Sequence, residues 1–139
     1  MAEKDLKSLI EKALDMRNSS YVPYSHYRVG AALEASDGRF FSGCNIENSS
    51  YGASNCAERT AFFKAVSEGV HSFKRIVITG GPEEGELQYA TPCGICRQVM
   101  REFCDPDNFE VILAKSTEDY KIYTLAQLLP ESFGPENLL

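Results

Sequence analysis

The chain has 139 residues, 43% of them hydrophobic and 24% charged. That is an ordinary composition for a single globular domain spanning residues 1–139, one that needs no disulfides to bury a core. Fourteen basic against twenty acidic residues give a net charge of −6, which excludes long-range attraction to a nucleic-acid polymer or an anionic membrane surface.

No stretch approaches the ~18 apolar residues of a membrane span, and the charged N-terminus lacks the apolar core of a signal peptide. The chain is therefore expected to be cytoplasmic, where five cysteines are metal ligands or reactive thiols more readily than disulfide partners. Leu6, Leu9, Ile10, Ala13 and Leu14 recur with the spacing of one apolar helix face, ending in the polar run Asn18-Ser19-Ser20 before Pro23. Tyr27, Val29, Ala31 and Leu33 alternate as in a strand. The turn Ser36-Asp37-Gly38 follows, and Phe40 to Cys44 completes a β-hairpin. Asn45 to Asn55 is a polar loop.

A second, largely buried helix is expected from about Cys56 to Glu68, stopped by Gly69. Phe73 to Thr79, centred on Ile76-Val77-Ile78, suits a central strand covered on both faces. A loop rich in Gly, Pro and Glu, with Glu83 to Glu86 as solvated charge, leads to a third helix from Pro92 to about Phe103. Phe109 to Ala114 is another apolar strand. Only Lys115 to Tyr120 separate it from a short strand at Lys121 to Tyr123, too few residues for a parallel crossover, so that pair is antiparallel. A short helix at Leu125 to Leu129 and a tail from Pro130 follow. The order α-β-β-α-β-α-β-β-α predicts an α/β fold, a three-layer α/β/α sandwich around a mixed five-stranded sheet.

Cys93-Gly94-Ile95-Cys96 puts two thiols on one face of a first helical turn, with Thr91 as the expected cap and Pro92 at the first helical position. The second helix is expected to open the same way, with Asn55 as cap and Cys56 first in the helix. Cys56, Cys93 and Cys96 then all lie at helix N-termini, where the dipole favours thiolate. Two helix starts converging on one sheet give a soft, roughly tetrahedral zinc site. Three protein ligands leave a position for water, which distinguishes a catalytic from a structural zinc. Zinc with three thiolates carries net negative charge, so Arg59, on the same helix face as Cys56, is expected to withdraw charge from a ligand sulfur. Glu58 has two readings: a proton shuttle beside the metal, or the far end of an Asn55-x-x-Glu58 capping box. The three thiols and Pro92 favour the shuttle.

Cys56-Ala57-Glu58 followed by Pro92-Cys93-Gly94-Ile95-Cys96 resembles the zinc deaminase signature. More closely, three longer segments are similar to the small cytidine deaminases of nucleoside salvage. They are Pro23-Tyr24-Ser25-His26-Tyr27-Arg28-Val29-Gly30-Ala31-Ala32, Gly43-Cys44-Asn45-Ile46-Glu47-Asn48 and Cys56-Ala57-Glu58-Arg59-Thr60-Ala61. The resemblance extends over nearly the whole chain. It implies hydrolytic deamination of cytidine and 2'-deoxycytidine to the uridines and ammonia, with one Zn2+ per subunit on Cys56, Cys93 and Cys96. Glu58 would take a proton from the metal-activated water, protonate N3 and then the departing amine.

The resemblance also implies that Asn45 and Glu47 hold ribose hydroxyls, which suits an amide and a carboxylate facing a neutral sugar. Tyr27, where the family commonly has Phe, would pack on the pyrimidine. Phe133, after Leu128-Leu129-Pro130, resembles an aromatic that reaches a neighbouring subunit's site, and by the same resemblance Tyr51 would contribute across an interface. A homotetramer with shared active sites is implied by resemblance. Cys44 and Cys104 read as small buried hydrophobes, and His26 and His71 as isolated histidines outside a site that three thiols complete.

Three other readings stay open. A structural zinc module would recruit Cys44, Cys104 or a histidine as fourth ligand. A dithiol redox protein would use Cys93 and Cys96 at a helix start, leaving Cys56 and Glu58 without roles. A deaminase of a cytosine-bearing antibiotic such as blasticidin S shares the zinc motifs, whereas Asn45-Ile46-Glu47 favours a plain nucleoside. The acidic charge speaks against nucleotide and polynucleotide substrates.

Overall fold

A computed structural model describes residues 2–139, with side chains from residue 5 onward. Helix α1 (Ala2–Met16) runs into a 3-10 turn, Arg17–Ser19, and is followed by the hairpin β1 (Tyr27–Ala35) and β2 (Phe40–Cys44). Then come α2 (Ala57–Ser67), β3 (Phe73–Pro82), α3 (Gly94–Phe103), β4 (Glu110–Ala114), β5 (Tyr120–Thr124) and α4 (Leu125–Leu128). The strands form one sheet in the order β2-β1-β3-β4-β5. All neighbours are antiparallel except β3 and β4, the pair joined through α3. This is the mixed five-stranded α/β fold expected from the element order, including the antiparallel β4–β5 pair that the short connection requires.

The unbroken apolar runs in the inner strands arise because successive side chains face opposite layers. Ala32, Val77 and Ile112 pack with Leu6, Leu9, Ile10 and Ala13 of α1. Their neighbours Ala31, Leu33, Ile76, Ile78, Val111 and Leu113 face the other way. There they meet Ala61, Phe62 and Ala65 of α2, and Cys96 and Met100 of α3. One helix therefore covers one face, and the two cysteine-bearing helices share the other.

Gly43 sets how closely α2 lies on β2. A Cβ at that position would stand 2.7 Å from the Ala61 nitrogen and closer still to the Ala57 carbonyl oxygen, so only glycine allows this approach. Thr60 adds a tether, its hydroxyl donating to the Cys44 carbonyl at 3.1 Å.

The helix starts differ from the expected ones. Cys56, not Asn55, is the N-cap of α2, and Cys93, not Thr91, is the N-cap of α3; Pro92 precedes the helix and does not open it. Both cysteines have extended backbones, with φ/ψ of −78°/157° and −67°/167°, as N-cap residues do. The Asn55–Glu58 capping box does not form, because Cys56 takes the cap position and the Asn55 amide donates to the Thr60 hydroxyl at 3.1 Å. A capping box forms elsewhere, between Thr124 and Gln127 at the start of α4.

Candidate metal centre and active site

The two helix N-termini on the shared face bring three sulfurs together, from cap residues 37 positions apart and one residue in the first turn of α3. The Sγ atoms of Cys56, Cys93 and Cys96 all lie within 4.8 Å of one another, and those of Cys56 and Cys93 are 3.7 Å apart. Zinc–sulfur bonds of about 2.3 Å at tetrahedral angles place ligand sulfurs about 3.8 Å apart, so the cluster has the dimensions and the donor chemistry of a zinc site. All five cysteines are free thiols. Cys44 and Cys104 are buried apart from this group, as expected for small apolar side chains.

The electrostatics follow from the helix ends and one cation. Arg59 projects back from the first turn of α2, and its Nη2 donates to the Cys56 sulfur at 3.3 Å, the contact expected from its spacing. Among the described residues, its buried Nε has no hydrogen-bond partner. The Cys56 thiol is drawn down to about 5, first by a hydrogen bond with Cys96 and then, against burial, by Arg59 and Cys93. Cys96 is pushed upward by the neighbouring Cys56 thiol and by burial. Cys93 caps its own helix, its sulfur accepting from the Cys96 amide at 3.5 Å.

Glu58 is only 4% exposed, and burial pushes its carboxyl up to about 7, with the Cys56 charge adding to the shift. It lines a cavity of about 340 Å³ together with Cys56 and Cys93, within the size range of small-molecule sites. Apolar walls come from Val29, Ala57 and Ile78, and an aromatic wall from Tyr27. The Tyr27 hydroxyl is 3.0 Å from Gln88 Oε1, to which it donates. Asn45 also lines the cavity; its amide donates to the Tyr27 carbonyl at 2.8 Å and accepts from the Val29 N–H at 3.0 Å. It thereby continues the β1–β2 pairing with a side chain and is itself held in place.

The other anticipated residues lie outside this cavity in the single chain. Glu47 lines a neighbouring depression with Tyr24 and Tyr51, where its carboxylate accepts from the Tyr24 and Ser25 amides and the Ser25 hydroxyl. Tyr51 is 75% and Phe133 58% exposed; neither touches the metal cluster's cavity. Gln88 and Tyr89 are cavity residues that the sequence reading did not single out. They sit in a polar loop without periodicity. What brings Gln88 in is a main-chain bond from its N–H to the Gly80 carbonyl at 2.8 Å, which no local pattern announces.

The family described as "Cytidine and deoxycytidylate deaminase zinc-binding region" matches residues 3–111. The chain is 49% identical over 134 residues to a cytidine deaminase of Sporosarcina psychrophila, covering 96% of this chain and 95% of that protein. It is 44% identical over 139 residues to a probable cytidine deaminase of Dictyostelium discoideum, covering 100% and 90%. Among solved structures, the cytidine deaminase of Burkholderia pseudomallei superposes with a TM-score of 0.80 at 44% identity, covering 91% of this chain and 97% of that one. That of Mycobacterium tuberculosis superposes with a TM-score of 0.76 at 33% identity, covering 91% and 95%.

Proposed function

The chain belongs to the cytidine and deoxycytidylate deaminase family, and from that premise we propose that it is a zinc-dependent cytidine deaminase. It would hydrolyse cytidine and 2'-deoxycytidine to uridine and 2'-deoxyuridine with release of ammonia, in pyrimidine nucleoside salvage in the cytoplasm. The observation that supports this best is the placement of a buried acid, Glu58, in one cavity wall with two of three clustered sulfurs.

Cys56, Cys93 and Cys96 would hold one Zn2+. When bound, zinc supplies the Lewis acidity that makes water nucleophilic near neutral pH. Everything else falls to the protein's own groups. Glu58, with a carboxyl balanced near 7, accepts a proton from water and delivers it to N3 of the pyrimidine, then takes the second proton from the hydroxyl added at C4 and hands it to the departing amine. Arg59 offsets the negative charge of the sulfur cluster. Tyr27, Val29 and Ile78 shape an apolar slot for a flat ring. Asn45 presents its remaining amide hydrogen and lone pair to a ribose hydroxyl, and Glu47 serves a second hydroxyl from the adjoining depression. Tyr51 and Phe133, exposed in one chain, would complete neighbouring sites in a homotetramer whose subunits are each one domain.

The test is Glu58→Gln, which keeps shape and removes the proton carrier. Cytidine turnover followed by ultraviolet absorbance should fall by about 10²–10⁴-fold while zinc content stays at the wild-type level. A variant that keeps its turnover would refute the role and return the cluster to a structural one.

A further inference from the structure

Helix α3 is loaded at both ends of its first two turns. Cys93 and Cys96 stand at its N-terminus, and Arg97, Gln98 and Arg101 on its outer side all grip the C-terminal segment. Arg101 donates from Nε to the Ser132 hydroxyl at 2.7 Å and from Nη2 to Glu136. Gln98 donates to the Phe133 carbonyl at 2.9 Å.

Arg97 differs from its two neighbours because one of its partners lies at the metal cluster. Its Nε donates at 2.7 Å to the carbonyl of Pro92, and its Nη1 donates at 2.6 Å to the carbonyl of Leu128, the last residue of α4. Pro92 immediately precedes Cys93. Its carbonyl lies outside the α3 ladder, where the first acceptor is the Cys93 carbonyl, bonded by the Arg97 N–H at 3.0 Å. Pro92 also has no N–H through which the main chain could be anchored. The plane of the Pro92–Cys93 peptide, which sets where the Cys93 sulfur points, therefore depends on a side-chain donor. A guanidinium suits this task because its donors are fixed in one rigid plane, so one residue can lock two carbonyls against each other.

We infer that Arg97 is a positioning residue for the metal ligands, clamping the Pro92–Cys93 peptide to the end of α4 so that the C-terminal segment braces the Cys93 sulfur. The inference rests on the reading of Cys93 as a zinc ligand, and its consequence is slow loss of the metal. Arg101 supplies the control, since it ties the same helix to the same segment without reaching Pro92.

The experiment measures zinc release from the loaded protein into excess chromophoric chelator, with thermal midpoints in parallel, for wild type, Arg97→Ala, Arg97→Lys and Arg101→Ala. Loss of an outer partner of a metal ligand commonly weakens metal binding by about 10–100-fold, and release from Arg97→Ala should accelerate by a factor in that range. Arg97→Lys keeps the charge but reaches one carbonyl at a time, and should release zinc at an intermediate rate. Arg101→Ala should lower the thermal midpoint yet release zinc within about twofold of wild type.

Release from both Arg97 variants at the wild-type rate would overturn the inference, as would equal acceleration in Arg101→Ala. Should Arg97→Ala not fold, Arg97→Lys decides alone. Should wild-type protein hold no zinc, the metal reading itself fails. Amide hydrogen exchange at Cys96 and Arg97 then decides the clamp: faster exchange in the Arg97 variants but not in Arg101→Ala supports it, and unchanged exchange overturns it.

Discussion

Replacing Gly43 with Ala would strike the site without touching any residue in it. A Cβ there meets the Ala61 nitrogen at 2.7 Å, where ordinary contact begins at 3.4 Å. The shortfall is about 0.7 Å, and it is greater against the Ala57 carbonyl oxygen. Both obstacles are backbone atoms of the first turns of α2, so no side chain can swing away and the helix must lift from β2. Overpacking of this kind costs about 1–3 kcal/mol, which for a domain of this size lowers Tm by roughly 3–12 °C. Cys56 and Glu58 stand at the lifted end. A displacement approaching 1 Å at reacting groups costs up to about 10²-fold in rate, so kcat/KM for cytidine should fall well beyond what lost stability explains at 25 °C. The assay pairs thermal unfolding with steady-state deamination and zinc content, using Gly52→Ala as a control because nothing lies within 4 Å of a Cβ there. Gly43→Ala protein with Tm within about 1 °C and kcat/KM within twofold of wild type would refute the argument that this contact sets the height of α2.

Other outcomes follow from single contacts. Arg59→Ala removes the donor to Cys56 Sγ, a charge-assisted bond worth about 1.5–3 kcal/mol; turnover should drop by roughly 10–100-fold with zinc content nearly unchanged, and unaltered turnover would contradict the charge-withdrawing role. Chelation should make Cys93, the exposed member of the cluster, the first thiol to react with a disulfide reagent, followed by Cys56, with buried Cys44 and Cys104 last. Equal reactivity with and without chelator would speak against metal protection. The hydrogen bond from Arg101 holds the Glu136 carboxyl below its ordinary value of 4.5. Because the folded-state value is the lower one, this anchoring is at full strength above about pH 4.5 and is lost as pH falls through the depressed value. Hydrogen exchange over residues 132–137, corrected for intrinsic rates, should therefore quicken there before global unfolding, and a flat profile would exclude the anchor.

Much of this molecule is written locally. The apolar spacing of Leu6, Leu9, Ile10 and Ala13 marks a one-faced helix, and the runs at Ile76–Ile78 and Val111–Leu113 mark strands with a layer on each side, since hydrophobic periodicity reports directly on which faces leave water. Cys56, Cys93, Cys96 and Arg59 could be grouped as candidates because thiols near helix starts and a cation on the same helix face are local features, whereas Glu58 kept a capping reading that spacing alone favoured. Other features were not local. The cap positions fell to Cys56 and Cys93, with extended backbones, in place of Asn55 and Thr91. Gln88 enters the cavity through a main-chain bond to β3, and Asn45 is held by β1. Arg97 joins Pro92 to Leu128 across 36 residues of chain. Periodicity and motif spacing describe neighbours a few residues apart. Contacts between segments distant in sequence exist only once the sheet order has placed those segments side by side, and the fine positioning of this site depends on such contacts.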